Sequence, residues 1–121
     1  MTPHRVILAE DNVPLRTLLR FTVEADPRFV VIGEAGDGVE ALELLEREDP
    51  DLLLLDLSMP VMDGLEVLEK LVHRARPVVV ILTGFEDPDL EQQVLQAGGA
   101  AYLTKGSAFD GLVDRLDQLL S

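Results

Sequence analysis

LLLLDLSMPVMDG, residues 52–64, is the stretch on which the fold turns. Four consecutive leucines leave no polar side chain for either face of an extended segment. Such runs belong to strands of a parallel sheet that helices cover on both faces. The run ends in a carboxylate, Asp56, and Pro60 and Asp63-Gly64 then turn the chain away. Taken alone, an acid after a strand is a turn or cap residue. The question is whether other strands bring polar groups to the same edge.

On either side of this run, short apolar segments alternate with segments of helical period. The expected strands are Arg5–Ala9, Phe29–Glu34, Asp51–Leu55, Val78–Thr83 and Ala100–Leu103. The helical segments carry start signals. Asp37-Gly-Val-Glu40 and Asp63-Gly-Leu-Glu66 each place an acid at the N-cap and a glutamate three residues on. Asp87-Pro88 puts proline at the first helical position, and Ser107-Ala-Phe-Asp110 is a weaker box of the same kind. Gly98-Gly99 ends the fourth helix.

Apolar stripes predict which helix faces pack on the sheet. The first helix offers Leu15, Leu18, Leu19, Thr22 and Val23; the last offers Phe109, Leu112, Val113, Leu116, Leu119 and Leu120. DGVEALELLEREDPDLLLLD and DGLEVLEKLVHRARPVVVIL read as one βα pattern used twice. The fold class is therefore α/β: a (βα)5, doubly wound five-stranded parallel sheet with helices on both faces, one domain spanning residues 1–121.

Composition narrows the function. The chain of 121 residues is 47% hydrophobic and 27% charged, as ordinary globular proteins are. It has no cysteine, which excludes disulfides and thiolate metal sites. No apolar run approaches the roughly 20 residues that span a bilayer, and acids follow the short apolar stretch of MTPHRVILAEDN. A cytoplasmic protein off the membrane is expected. The net charge of −13, from 10 Lys+Arg against 23 Asp+Glu, opposes direct contact with nucleic acid.

In an open α/β sheet, ligands bind beyond the C-terminal ends of the strands. Here Glu10-Asp11 follows strand one and Asp56 follows strand three, strand four ends in Thr83-Gly84, and Lys105 comes soon after strand five. Three carboxylates in one pocket repel one another unless a cation compensates them. Oxygen ligands and retained water suit Mg²⁺. Mg²⁺ and Lys105 together would receive a dianionic group, with phosphoryl the natural one. Asp56 can then serve as the nucleophile that becomes an acyl phosphate.

ILAEDN (7–12), LLLLDLSMPVMDG (52–64), ILTGF (81–85) and AYLTK (101–105) resemble the receiver domain of two-component response regulators along essentially the whole chain. The resemblance implies the flavodoxin-like strand order 2-1-3-4-5. It implies that Asp56 is the phosphoacceptor, with Mg²⁺ held by Glu10, Asp11, Asp56 and the backbone carbonyl of Ser58. Lys105 would pair with one phosphoryl oxygen and Thr83 would hydrogen-bond another. Tyr102 would swing inward as Thr83 moves, and Pro60 and Gly64 would shape the loop after the acceptor.

The donor implied is a phosphohistidine on a sensor histidine kinase, or acetyl phosphate. The implied output surface, for an output domain or a downstream protein, is the fourth helix, fifth strand and fifth helix: Asp87–Ala97, Ala100–Leu103 and Ala108–Leu120. A homodimer on phosphorylation rests on the resemblance alone. Many receivers carry a cis proline after this lysine, whereas here Gly106 and Ser107 follow. That absence is more common in receivers joined to helix-turn-helix domains. A transcriptional regulator whose DNA-binding domain lies outside this chain is thus one form of the expectation. Ser58 and Phe85 occupy the positions that would modulate dephosphorylation.

Three rivals remain. A small-molecule aspartyl-phosphate phosphatase would want a second acid two residues after the nucleophile, where this chain has Ser58. An FMN module would want a glycine- and hydroxyl-rich loop after strand one, where Glu10-Asp11-Asn12 stands. A pseudo-receiver would only bind partners. His4 and His73 read as surface residues, Met59 as packing, and Leu95 as a surface leucine or a partner contact.

Overall fold

The computed structural model describes residues 2–84 and 86–121, with the backbone alone at 107 and 108. Its elements are β1 (His4–Ala9), α1 (Val13–Glu24), β2 (Phe29–Ala35), α2 (Gly38–Glu48), β3 (Leu52–Leu55), α3 (Gly64–Lys70), β4 (Val78–Thr83), α4 (Pro88–Gln96), β5 (Ala101–Thr104), α5 (Lys105–Ala108) and α6 (Leu112–Leu120). Every strand lies within one residue of its expected bounds. All strand pairs are parallel, in the order β2-β1-β3-β4-β5. This is the expected doubly wound, flavodoxin-like sheet.

The strands divide their side chains by the period of two. Ile7, Leu53, Leu55, Val79 and Ile81 face one layer, with Ala41 and Leu45 of α2, Val67 and Leu68 of α3 and Val94 of α4. Val6, Leu8, Leu54, Val80 and Leu82 face the other, with Leu19 and Val23 of α1 and Leu112 and Leu116 of α6. All four leucines of β3 are buried, because the strand is central and covered twice. Each stabilises the fold by roughly 1.5–3 kcal/mol relative to leaving it in water.

The local start signals operate as read. Asp37 accepts the Glu40 N–H at 2.9 Å. Asp63 forms a full capping box, accepting from Glu66 N–H at 2.9 Å while its own N–H reaches the Glu66 carboxylate at 3.4 Å. Asp87 accepts from Asp89 and Leu90. At the end of α4, Gly99 N–H bonds Val94 O and Gly98 N–H bonds Leu95 O. The turn this makes needs the left-handed φ of 102° at Gly98.

Two expectations are corrected. The box at Ser107–Asp110 does not start the final helix. Residues 105–108 form a turn of their own directly after β5, and α6 begins behind Gly111, whose φ of 72° reverses the chain without any side-chain cap. In α1 the buried stripe is narrower than expected. Leu19 and Val23 are buried, but Leu18 is 51% exposed, because its neighbour at 19 already points straight at the sheet.

Candidate functional site

Both faces of the sheet being closed, the polar groups collect at the C-terminal edge of its strands. An open cleft of about 480 Å³ there is lined by Glu10, Asp11, Asp56, Ser58, Gly84 and Lys105, with Asn12 at its side. Carboxylate oxygens of Glu10, Asp11 and Asp56 lie within 4.8 Å of one another. Glu10 is 2% exposed and Asp56 3%, while Asp11 is open to solvent.

Glu10 is held at every polar atom. Its N–H donates to Ala35 O at 3.0 Å, which extends the β1–β2 pairing past the strand. Its carbonyl accepts from Arg16 Nη1 at 2.9 Å. Its Oε2 accepts the Asn12 N–H at 3.0 Å, while Lys105 Nζ stands 2.8 Å from Oε1. Asn12 also caps α1 through Leu15 N–H at 2.9 Å, so the acid and the helix start share one turn.

Asp56 hangs from the end of β3, its N–H donating to Ala9 O at 2.9 Å. Its Oδ1 accepts the Ser58 N–H at 3.3 Å, and its Oδ2 lies 3.3 Å from Lys105 Nζ. Gly64 lets α3 start close behind it. A Cβ at Gly64 would come 2.2 Å from Asp56 O, which no side chain tolerates. The loop between carries strain: Val61 has φ 68° and is 80% exposed, and Met62 N–H closes a three-residue turn on Pro60 O at 2.7 Å. A β-branched residue in the left-handed region costs roughly 1–3 kcal/mol.

The charges do not balance. Three carboxylates face one ammonium. Burial pulls the Lys105 pKa down, but the Glu10 hydrogen bond and the Asp56 charge outweigh it and raise the pKa above 10.5. Glu10 Oε1 is buried, and the Lys105 ammonium 2.8 Å away is its partner. An all-oxygen set with surplus negative charge and an open side fits a hard divalent cation that keeps water ligands.

The other expected site residues stand apart from the cleft. Thr83, fully buried at the end of β4, does not line it; Gly84 does. The Tyr102 hydroxyl shares a hydrogen bond with the Thr83 side chain and another with the Asp87 backbone. Burial raises the Tyr102 pKa first and the Asp87 charge second, with the Thr83 bond opposing. Tyr102 faces a separate cavity of about 560 Å³, bounded by Asp87 and Glu91 near α4 and by Leu112 and Arg115 of α6. Phe85 lies outside the described residues.

His73 is exposed. His4 is half-buried at the opposite end of the sheet, its ring 5.5 Å from that of Phe29 and its Nε2 3.7 Å from Asp117. Met59 is buried in the core, and Leu95 is 42% exposed. Among the described residues, no helix is long and apolar enough to cross a membrane. The sequence reading missed Arg16, because nothing in its position names the carbonyl it reaches.

Comparison with known proteins agrees with this geometry. The chain is 34% identical over 119 residues to the transcriptional regulatory protein PdtaR of Mycobacterium tuberculosis, covering 98% of this chain and 58% of that protein. It is 37% identical over 113 residues to the transcriptional regulatory protein LiaR of Bacillus subtilis, covering 93% of this chain and 54% of that one. The chain thus spans little more than half the length of these curated relatives. Among solved structures, the signal receiver domain of the putative response regulator NarL from Mycobacterium tuberculosis superposes with a TM-score of 0.92 at 30% identity, over 99% of this chain and 98% of that one. With residues 6–117 matching the model of the response regulator receiver domain, the chain belongs to that family of two-component signalling domains.

Proposed function

We propose that this chain is a phosphorylation-operated switch in which Asp56 accepts a phosphoryl group. The observation that carries the reading is one carboxylate, Asp56, set between two further acids and an ammonium 3.3 Å away, at the open edge of a sheet whose faces are closed. Glu10, Asp11, Asp56 and the Ser58 carbonyl are the groups that would hold Mg²⁺, and Mg²⁺ when bound would supply charge neutralisation for the entering phosphoryl oxygens.

An Asp56 carboxylate oxygen attacks phosphorus and an O–P bond forms. The P–N bond of the donor phosphohistidine breaks, and its electron pair returns to the imidazole nitrogen. With acetyl phosphate the P–O bond breaks and acetate leaves. Lys105 pairs with a phosphoryl oxygen, which the raised pKa of its ammonium favours. Ser58 offers no second acid for turnover of small phosphate esters, so the domain regulates and releases its own phosphoryl group only.

Thr83 and Tyr102 form the transmitting pair. Once a phosphoryl oxygen competes for the Thr83 hydroxyl, the bond that ties Tyr102 to it must rearrange. The Tyr102 ring borders the cavity between α4, β5 and α6, so its movement changes the face offered to an output domain or partner. The transcriptional regulators among the relatives support an output in transcription.

Borohydride trapping tests the reading. After treatment with acetyl phosphate and Mg²⁺, reduction of an aspartyl phosphate yields homoserine. Peptide mass mapping should place homoserine at position 56; homoserine elsewhere, or none, contradicts the assignment.

A further inference from the structure

We infer that Arg16 is a positioning residue for the acid pair Glu10-Asp11, acting through the Glu10 main-chain carbonyl; the inference rests on the Mg²⁺ reading above. Arg16 sits one turn into α1, and long helical side chains lean back toward the helix N-terminus. Its guanidinium reaches Glu10 O with Nη1 at 2.9 Å and Glu34 Oε1 with Nε at 3.2 Å. One planar fork therefore ties the end of β1 to the end of β2.

The anchor is itself held. Arg20 Nη1 lies 3.4 Å from Glu34 Oε2, so both oxygens of that carboxylate are engaged. A shift in register between Val6 and Ile7 sets Glu34 opposite Leu8, level with the end of β1. Gly36 leaves room for the fork, since a Cβ there would sit 3.3 Å from Arg16 Nη1. With 21% of its side chain exposed, Arg16 is shielded enough for the geometry to persist.

The sign of the effect separates positioning from simple charge. Arg16 is a cation near a proposed cation site. If it acted only through its field, removing it would tighten Mg²⁺ binding. If it holds Glu10 and Asp11 in place, removing it loosens binding, as loss of a group that orients metal ligands does, by roughly tenfold or more.

The experiment is calorimetric titration of the metal-free protein with MgCl₂, for wild type, Arg16→Gln, Arg16→Lys and Arg20→Gln. Urea unfolding and the amide NMR shifts of residues 10–12 are followed in parallel. We expect Arg16→Gln to bind roughly tenfold more weakly, with the Asn12 amide shifted before any metal is added. Arg16→Lys, which keeps the charge and loses the fork, should also weaken binding, and it carries the comparison if Arg16→Gln does not fold. Arg20→Gln, which touches only Glu34 of this clamp, should stay within about twofold of wild type.

Unchanged or tighter binding in Arg16→Gln overturns the inference, as does equal weakening in Arg20→Gln. Absence of Mg²⁺ binding in folded wild type overturns the metal reading and this inference with it. Wild-type binding with no Arg16 effect overturns this inference alone.

Discussion

Lys105 stands closer to Glu10 than to its other partner: Nζ is 2.8 Å from Glu10 Oε1 and 3.3 Å from Asp56 Oδ2. One ammonium is shared between two buried carboxylates, and Asp11 adds a third negative charge at the rim. In the metal-free protein this arrangement costs stability, and the cost follows from the charge count.

Substitutions at the two ends of the Lys105–Asp56 pair should therefore have opposite signs. Lys105→Met leaves two buried acids without their cation. Breaking a fully buried pair costs roughly 3–5 kcal/mol; a quarter of the Lys105 side chain is exposed, so about 2 kcal/mol is expected. Asp56→Asn relieves repulsion and should raise stability by about 1 kcal/mol. Urea midpoints in the presence of a chelator measure both, and the same sign for both variants contradicts the charge count.

Alkaline pH should expose the Tyr102 environment. The folded-state pKa of Tyr102 is raised above 10.0 and that of Lys105 above 10.5. For Tyr102 the folded state favours the neutral phenol; for Lys105 it favours the ammonium. Both contributions are complete below the unfolded pKa values and are lost as pH rises through the folded ones. Stability should thus fall as pH passes 10, and less steeply in Tyr102→Phe. Unfolding midpoints at pH 9, 10 and 11 test this; parallel curves for the two proteins would remove Tyr102 from the account.

Val61 invites a stabilising change. Its left-handed backbone at φ 68° penalises a β-branched side chain, and the residue, 80% exposed, buries little in return. Val61→Gly removes that strain but adds freedom to the unfolded chain, for a net gain of about 0.5–1 kcal/mol. An unchanged or lower urea midpoint would mean that the valine side chain contributes contacts that outweigh the strain.

Gly64 invites the opposite. A methyl group there meets Asp56 O at 2.2 Å and Leu57 Cα at 2.9 Å, both backbone. Gly64→Ala should cost roughly 2 kcal/mol or more and, by displacing the Asp56 carbonyl, weaken Mg²⁺ binding as well. Loss of stability with full Mg²⁺ affinity would show that the loop after Asp56 moves independently of α3.

The sequence made the acid edge legible because strand ends are readable. An apolar run such as Leu52–Leu55 stops where burial stops, and Asp56 is the next residue. Helix starts at Asp37, Asp63 and Asp87 were equally plain, since an N-cap acts within three residues. What stayed hidden depends on tertiary distance or on backbone state. The Arg16 contact joins residues that only the folded sheet aligns. The break at Gly111 was masked by an apolar stripe that runs on past it from Phe109 to Leu112. The strain at Val61 runs against the local preference of its side chain, so no propensity argument finds it. Leu18 misled because the α1 stripe is one residue narrower than its leucines suggest.

The central claim is that Asp56 is the phosphoacceptor and depends on a divalent cation. Intact mass after incubation with acetyl phosphate, with and without Mg²⁺, for wild type and Asp56→Asn, measures it most directly. The account predicts a gain of one phosphoryl group in wild type with Mg²⁺, little without it, and none in Asp56→Asn. Equal gain in the variant, or gain indifferent to Mg²⁺, would contradict it.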